Sequence, residues 1–340
     1  MPKPTWSRLF GEINRLNVED QRHPVQPGQP TQVDQFRRAK IAEVRKVTKR
    51  PLVVYATACT TPKPVPAQML MIDFSDKIGF KTVTEGIDPP ELDILLHSPG
   101  GYPEATESIV QQLRGKYSHI RFIIPPFAKS AATMLSMSGN EILMDRDAEL
   151  GPIDPQMPTQ TGTSPAETIQ EQFRKIQAEL QADATKLPSY LPILAPLGPS
   201  LLVDSEHAIK LSKQLVNDWL KKYMLAGDPE ANDKAEKICN YLSDHSKLLS
   251  HARAVKISDL IPLGVKVTDL GSNPPLQNAV DELYCVLDIT FANSIVCKIF
   301  ENSAGEGLIR QAQMQILQVQ QQRPAPPQQP QPLPGRIPRH

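Results

Sequence analysis

Two consecutive strand–turn–helix units in the first half of the chain constrain its fold more than any other feature. In the first unit, the apolar run 92–97 leads into the turn 98–101, and a helical pattern follows over 104–114. In the second, the β-branched and aromatic run 120–124 precedes a helix that begins after Ser130. Strands that alternate with helices are typical of parallel sheets with right-handed crossovers. The sequence therefore predicts an α/β fold built on parallel strands.

The turns of these two units carry groups suited to acyl-transfer chemistry. Gly100 and Gly101 allow a sharp turn whose bare N–H groups point at a ligand. Ser130 lies between a strand and a helix, beside the free N–H groups of the helix start. On that stretch alone, the commoner role of such a serine is to cap the helix. Together, the two turns supply a nucleophile and donors for a tetrahedral oxyanion, which favours a catalytic role.

The segments around these turns resemble a known family. The runs LDILLHSPGGYPEA and FAKSAATMLSMSGNEILMDRDAELGPIDPQ resemble the serine dehydrogenase proteinase family, a branch of the Clp-protease/crotonase-like superfamily. The chain is more distantly similar to the signal peptide peptidase A type. The resemblance covers residues 50–267 and is strongest over 93–156.

The resemblance implies both a fold and an activity. The expected fold is a Clp-protease/crotonase-like repeated ββα core with parallel sheets. Ser130 is the expected nucleophile, and the turn at Gly100 and Gly101 is the expected oxyanion hole, with N–H groups from Gly101 and Ala131. A serine peptidase is therefore the leading hypothesis. The word "dehydrogenase" in the family name implies no redox chemistry, because the chain has no Gly-x-Gly-x-x-Gly dinucleotide motif.

The general base that a serine nucleophile needs is not evident from the sequence. Clp proteases use a histidine in the segment after the nucleophile helix, and the residue in that place here is Asp154. An aspartate is a weak base unless burial raises its pKa. Asp154 is equally suited to fixing the turn between its two neighbouring prolines or to orienting another group.

Two lysines are alternative base candidates. The signal-peptidase type uses a lysine from a helix well after the nucleophile, and Lys210 and Lys213 lie in the comparable region. A lysine serves as a base only when desolvation lowers its pKa enough to give a neutral amine. Most lysines on such a helix are instead solvated.

His251 is the third candidate for the base. It precedes the segment ISDLIPLGVKV, which matches the spacing of a histidine common in this branch. Histidine has a suitable pKa with little tuning, although a loop histidine often has only a structural hydrogen bond. The sequence leaves the choice among Lys213, Lys210, His251 and Asp154 open.

Charge balance and cysteine spacing argue against several other classes of function. The 37 Lys and Arg residues balance 37 Asp and Glu residues, so no global field favours nucleic acid. The basic stretch 33–50 has no interleaved aromatic residues and is typical of a solvated helix face. The four cysteines are scattered without a Cys-x-x-Cys pair, which indicates free thiols. We expect no metal and no cofactor.

Composition divides the chain into four predicted segments. Residues 1–50 form a helical arm and linker, and residues 51–270 form the peptidase domain. Residues 271–320 form a C-terminal helical extension, with helices over 277–300 and 308–320. Residues 321–340 are rich in proline and glutamine and are predicted to be disordered.

The activity and its setting follow as expectations. The chain has no Walker-type motif, so we expect an ATP-independent serine endopeptidase that cleaves peptides or unfolded segments through an acyl-enzyme. The alternative is a catalytically inactive Clp-like scaffold or binding protein. A crotonase-like thioester enzyme is disfavoured, because the turn lacks catalytic carboxylates. No transmembrane segment or signal peptide is evident, so we expect a cytoplasmic protein. The resemblance implies a homo-oligomer, because members of this superfamily stack into rings.

Overall fold

The protein has a mixed α/β fold around one main sheet. The structure is a computed structural model that describes residues 6–26, 29–88, 90–159, 162–195 and 197–312. The strands are β1 Leu52–Thr57, β2 Glu91–His97, β3 His119–Ile124, β4 Phe127–Ala128, β5 Glu141–Met144, β6 Glu149–Leu150, β7 Gln156–Thr159, β8 Gly162–Pro165, β9 Val267–Asp269, β10 Val296–Asn302 and β11 Gly307–Gln311.

Helices cover both faces of this sheet. The α-helices are α1 Trp6–Arg22, α2 Gln32–Thr48, α3 Asp76–Thr84, α4 Pro103–Arg114, α5 Ala131–Met137, α6 Ala166–Ala182, α7 Leu187–Leu194, α8 Leu201–Trp219, α9 Ala231–Ser243, α10 His245–Leu248, α11 Ile257–Leu260 and α12 Pro274–Ala292. A π-helical segment, Leu220–Met224, continues α8.

The main sheet has seven strands in the order β11-β10-β1-β2-β3-β5-β9. The five strands from β1 to β9 in that order are parallel, whereas β10 runs antiparallel to both β1 and β11. Two shorter pairs lie outside it, β4 with β6 and β7 with β8. The predicted α/β class with parallel strands is confirmed.

Burial on both sides explains why the central strands are continuous apolar runs. Every residue of β1 is buried, and its side chains alternate between two cores. Val53 and Tyr55 face a core that also contains residues of α3, α4, α5, α8 and α9. Leu52 and Val54 face a second core formed with α2 and α12. The parallel strands thus lie between two helical layers.

The prediction of an entirely helical C-terminal extension is wrong in its second half. Helix α12 ends at Ala292, and the segments 296–302 and 307–311 are strands that join the main sheet. Gly305, with φ +99°, lies in the turn between them. All seven residues of β10 are buried because both of its faces are covered, so its sequence lacks the alternation that marks a strand.

The N-terminal arm packs against this C-terminal part of the chain. Helices α1 and α2 both contact α12, and Arg37 of α2 forms a buried ion pair with Glu301 of β10. The predicted domain boundaries at 50, 270 and 320 stay predictions. The predicted disordered tail and most of the predicted helix 308–320 lie outside the described residues. Within the described ranges, no helix is both long and apolar enough to cross a bilayer.

Candidate active site

Ser130 occupies a strained position between β4 and α5. Its backbone has φ 51° and ψ −122°, a conformation that side-chain-bearing residues rarely adopt. Its side chain makes no capping hydrogen bond, so the structure does not support the alternative that Ser130 caps the helix. Such strain is commonly found at functional sites, where the surrounding contacts hold it. Here Ser130 is half-buried and lies on the sharp turn that joins β4 to α5.

The surrounding segments fix this turn by hydrogen bonds. The Lys129 N–H donates to Ser98 O at 3.0 Å, which joins the two turns directly. Thr133, in the first turn of α5, donates its hydroxyl to Ala128 O at 2.7 Å and accepts the Gly151 N–H at 2.9 Å. The backbone on both sides of Ser130 is therefore anchored to its neighbours.

Gly100 lies directly against Ser130. Its φ is +99°, and a Cβ at this position would lie 2.6 Å from Ser130 Cβ and 2.6 Å from Lys129 O. Any side chain would therefore collide with Ser130 or with the backbone on either side of it. The Gly100 N–H donates to Ser98 Oγ at 3.2 Å and is not free for a ligand.

The N–H groups of Gly101 and Ala131 are the free donors of the site. The Ile72 N–H donates to Gly100 O at 2.7 Å, and the Ile72 carbonyl accepts the Tyr102 N–H at 3.0 Å. This is the pairing of two parallel strands, with Ile72 opposite Gly101. In such a ladder the residue between two paired groups turns its own N–H to the opposite side. Among the described residues, neither Gly101 N–H nor Ala131 N–H donates to a backbone acceptor.

Asp154 is buried, forms hydrogen bonds with one histidine and a glutamine, and lies beside a second histidine. Its exposed fraction is 2%, and His251 Nδ1 lies 2.7 Å from its Oδ1. Its Oδ2 accepts a hydrogen bond from Gln156 Nε2 at 3.0 Å. His245 Nδ1 lies 3.4 Å from the same oxygen without hydrogen-bond alignment. A carboxylate oxygen only accepts, so His251 Nδ1 donates in this hydrogen bond.

Ser130 and Asp154 both follow the same end of one parallel strand pair. Strand β6 runs parallel to β4, with Ala128 paired to Leu150. The segments that follow the two strands continue in the same direction, one to Ser130 and the other to Asp154. Among the described residues, however, none forms a hydrogen bond with Ser130 Oγ, and the site is not a closed triad in this state.

Comparison with known proteins identifies the family of the chain. Residues 63–285 match the family of ClpP-like SDH-type serine proteinases. The chain belongs to this family. The match includes both turns, Asp154 and both histidines, and it ends before β10.

The curated relatives are uncharacterized proteins of the archaeon Methanocaldococcus jannaschii. MJ1495 is 32% identical over 178 residues, which cover 52% of this chain and 51% of the relative. MJ0137 is 26% identical over 198 residues, which cover 58% of each chain. The chain thus spans only about half the length of the curated relatives it matches.

Two solved structures are similar to parts of the chain. One is a lysine-to-alanine mutant of the 1510-N membrane-bound stomatin-specific protease in complex with a substrate peptide. It is 15% identical, with a TM-score of 0.37, and the match covers 58% of this chain and 71% of the other. The second is a serine-to-alanine mutant of the same protease, 23% identical with a TM-score of 0.26, over 33% and 58% of the two chains.

The two lysine candidates lie on α8, which packs against α5. Lys210 is exposed and Lys213 is half-buried. In the described part of the chain, neither ammonium group has a hydrogen-bond or ion-pair partner. The structure therefore gives neither lysine a contact that would direct it to Ser130.

The Lys129 side chain points away from Ser130, as a sequence neighbour on a turn is expected to do. Its Nζ lies 2.8 Å from Glu149 Oε2 and donates to Leu150 O at 3.0 Å. The hydrogen bond from Lys129 lowers the pKa of the Glu149 carboxyl. Lys129 thus ties the end of β4 to β6, and its ammonium group binds Glu149 and Leu150.

His97, at the end of β2, is a structural histidine. Its ring is buried edge-on against Phe127 and Tyr284, and Nδ1 lies 3.4 Å from Phe127 O. Burial lowers its pKa from 6.5 to about 4, so the ring stays neutral at ordinary pH. The ring connects the strand before the Gly100 turn with the strand before Ser130.

The contact between His251 and Asp154 joins two of the predicted candidates that are 97 residues apart in sequence. His245 and Gln156, the further partners of the carboxylate, were not predicted. No local pattern marks His245, because its place beside Asp154 depends on the packing of α9 and α10 against the segment 151–156. In the described ranges, no group of three or more His, Cys, Asp and Glu residues is arranged to hold a metal ion.

Proposed function

We propose that the chain is a serine peptidase in which Ser130 is the nucleophile. The observation that carries this proposal is the strained Ser130 turn, packed against Gly100 and flanked by the free N–H groups of Gly101 and Ala131. A nucleophile on a sharp strand-to-helix turn, next to two unpaired N–H donors, suits acyl transfer. Membership of a serine proteinase family supports the same conclusion.

In the proposed reaction, Ser130 Oγ attacks the carbonyl carbon of a peptide bond. The N–H groups of Gly101 and Ala131 bind the oxyanion that forms on the carbonyl oxygen. His251 Nε2 takes the serine proton and then gives it to the leaving amine, and water hydrolyses the acyl-enzyme by the reverse proton path.

Asp154 fits the role of the group that orients this base. Its hydrogen bond to His251 Nδ1 holds one tautomer and stabilises the imidazolium that forms during proton transfer. Burial strengthens that interaction, because the carboxylate is shielded from water. His251 with Asp154 is therefore our choice over Lys210 and Lys213, which have no such partner.

Ser130 Oγ has no hydrogen-bond partner in the described part of the chain, and this observation favours a second candidate, an inactive Clp-like scaffold. Catalytic hydrogen bonds are often loose without substrate and tighten when substrate binds. We therefore propose that substrate binding brings His251 within reach of Ser130.

The finer features of the activity belong to the same proposal. We propose an endopeptidase that needs no ATP and cleaves peptides or unfolded protein segments. We further propose that it works in the cytoplasm as a homo-oligomer. Free donors at the Gly101 turn suit an extended peptide, because its backbone carbonyls are exposed acceptors.

Hydrolysis of fluorescently labelled casein, an unfolded protein, tests the proposal. Wild type should release labelled peptides without ATP, and Ser130→Ala and His251→Gln should reduce the rate by about 100-fold or more. Lys213→Met is the matched control and should keep the wild-type rate. Loss of activity in Lys213→Met but not in His251→Gln would show that the general base is the lysine on α8 and not His251. A folded wild type that cleaves nothing would favour the scaffold.

A further inference from the structure

Lys298, on the C-terminal strand β10, is fully buried and has no role in the chemistry proposed above. A buried ammonium is costly unless it is paired and hydrogen-bonded. Its Nζ donates to both carboxylate oxygens of Asp76 at 2.9 Å and to Met71 O at 2.5 Å. These contacts direct the charge to the segment that packs beside the Gly100 turn.

One route from Lys298 to the turn passes through side chains. The Tyr55 hydroxyl donates to Asp76 Oδ2 at 2.8 Å, and the Ser98 side chain lies near Tyr55. Ser98 Oγ accepts the Gly100 N–H at 3.2 Å. Tyr55 and Ser98 thus lie between the buried Lys298–Asp76 pair and the Gly100 turn.

A second route passes through the backbone. Lys298 binds the carbonyl of Met71, the residue before Ile72. Ile72 pairs with Gly100 O and with the Tyr102 N–H, and a Cβ at Gly101 would lie 2.2 Å from Ile72 O. The position of Ile72 therefore fixes where Gly101 lies and where its free N–H points.

The alternation of β10 directs Lys298 to this side of the sheet. Phe300 shares its face and packs in the core with α3 and α4, whereas Glu301 faces α2 and pairs with Arg37. The two buried ion pairs of β10 therefore lie on opposite faces of the sheet. Only the pair formed by Lys298 and Asp76 connects to the Gly100 turn.

We propose that Lys298 is a positioning residue that holds the Gly100–Gly101 turn in place for oxyanion binding. The C-terminal hairpin β10–β11 lies beyond the family match, and through Lys298 it then contributes to the geometry of the site. The consequence for catalysis rests on the proposed function, whereas the structural coupling between Lys298 and the turn does not.

The test compares two double variants with wild type. Lys298→Met with Asp76→Asn removes the network without leaving an unpaired buried charge. Arg37→Met with Glu301→Gln removes the other buried ion pair of β10 and is the matched control. Hydrogen exchange, followed by mass spectrometry of peptides that cover 97–103, reports on the turn itself. The rate of Ser130 labelling by a fluorophosphonate reports on oxyanion stabilisation.

The first double variant should exchange the 97–103 amides about tenfold faster. Its labelling rate should be about 100-fold lower, because a small displacement of an oxyanion donor is costly. The control should change neither. Unchanged exchange in the folded Lys298 variant overturns the inference, whatever the activity of wild type. Unchanged labelling at a site that labels in wild type overturns the catalytic consequence and leaves the proposed function standing.

Discussion

The buried His97 makes stability depend on pH in a way that the structure predicts. Its pKa is lowered by burial from 6.5 to about 4, so the unfolded chain takes up a proton at a pH where the folded protein does not. The contribution of the neutral ring to stability is therefore complete above the unfolded pKa. It is lost as the pH falls from 6.5 towards about 4.

The size of the effect follows from these two values. Lowering the pH from about 7.5 to about 5 should remove about 2 kcal/mol of unfolding free energy through this single group. The ring is fully buried, so solvent screens little of this difference. Other titrating groups also make the unfolding free energy depend on pH. The effect of His97 is therefore measured against a variant that lacks the imidazole.

Urea unfolding at the two pH values measures the effect in wild type and in His97→Phe. The phenyl ring keeps the aromatic packing against Phe127 and Tyr284 but cannot be protonated. Stability should fall by about 2 kcal/mol less in the variant than in wild type between the two pH values. His97→Gln serves as a second neutral variant, and the exposed His23→Gln as a control that keeps the wild-type dependence. Equal losses in wild type and both His97 variants would refute the reasoning.

Three further predictions concern the turns and the base. Gly100→Ala should abolish casein hydrolysis and lower the urea unfolding free energy by about 1–3 kcal/mol, because its Cβ would meet Ser130 at a backbone with positive φ. Ser130→Gly should be more stable to urea than Ser130→Ala by about 1 kcal/mol, since glycine relieves the strained φ of 51°; equal stabilities would show that the turn is not strained. Asp154→Asn should slow casein hydrolysis by about 100-fold or more with little change in KM, because the amide no longer holds the correct tautomer of His251; a rise in KM alone would contradict this role.

Much of the fold was predictable because its central units are local. The runs 92–97 and 120–124 are continuous apolar strands, and each is followed within a few residues by its turn and helix. The position of Ser130 and the glycine pair follow from that local order. The strain at Ser130 was not predictable, because it comes from contacts with Gly100 and Ser98 on the other unit.

The C-terminal hairpin shows where periodicity fails. Strand β10 carries Lys298 and Glu301 among its apolar residues, and both charges are buried by ion pairs with distant segments. Sequence periodicity assumes that charged side chains face solvent, so it predicted a helix here. The sequence could not identify the general base for a similar reason, since the contact of His251 with Asp154 depends on tertiary packing.

The most direct test of the central claim is labelling of Ser130 with a fluorophosphonate probe, which reacts only with an activated serine hydroxyl. We expect wild type to be labelled at Ser130, Ser130→Ala to be unlabelled, and His251→Gln to be labelled at least about 100-fold more slowly. Folded wild type that stays unlabelled from about pH 6 to about pH 10, a range that covers neutral histidine and neutral lysine bases, would contradict the account.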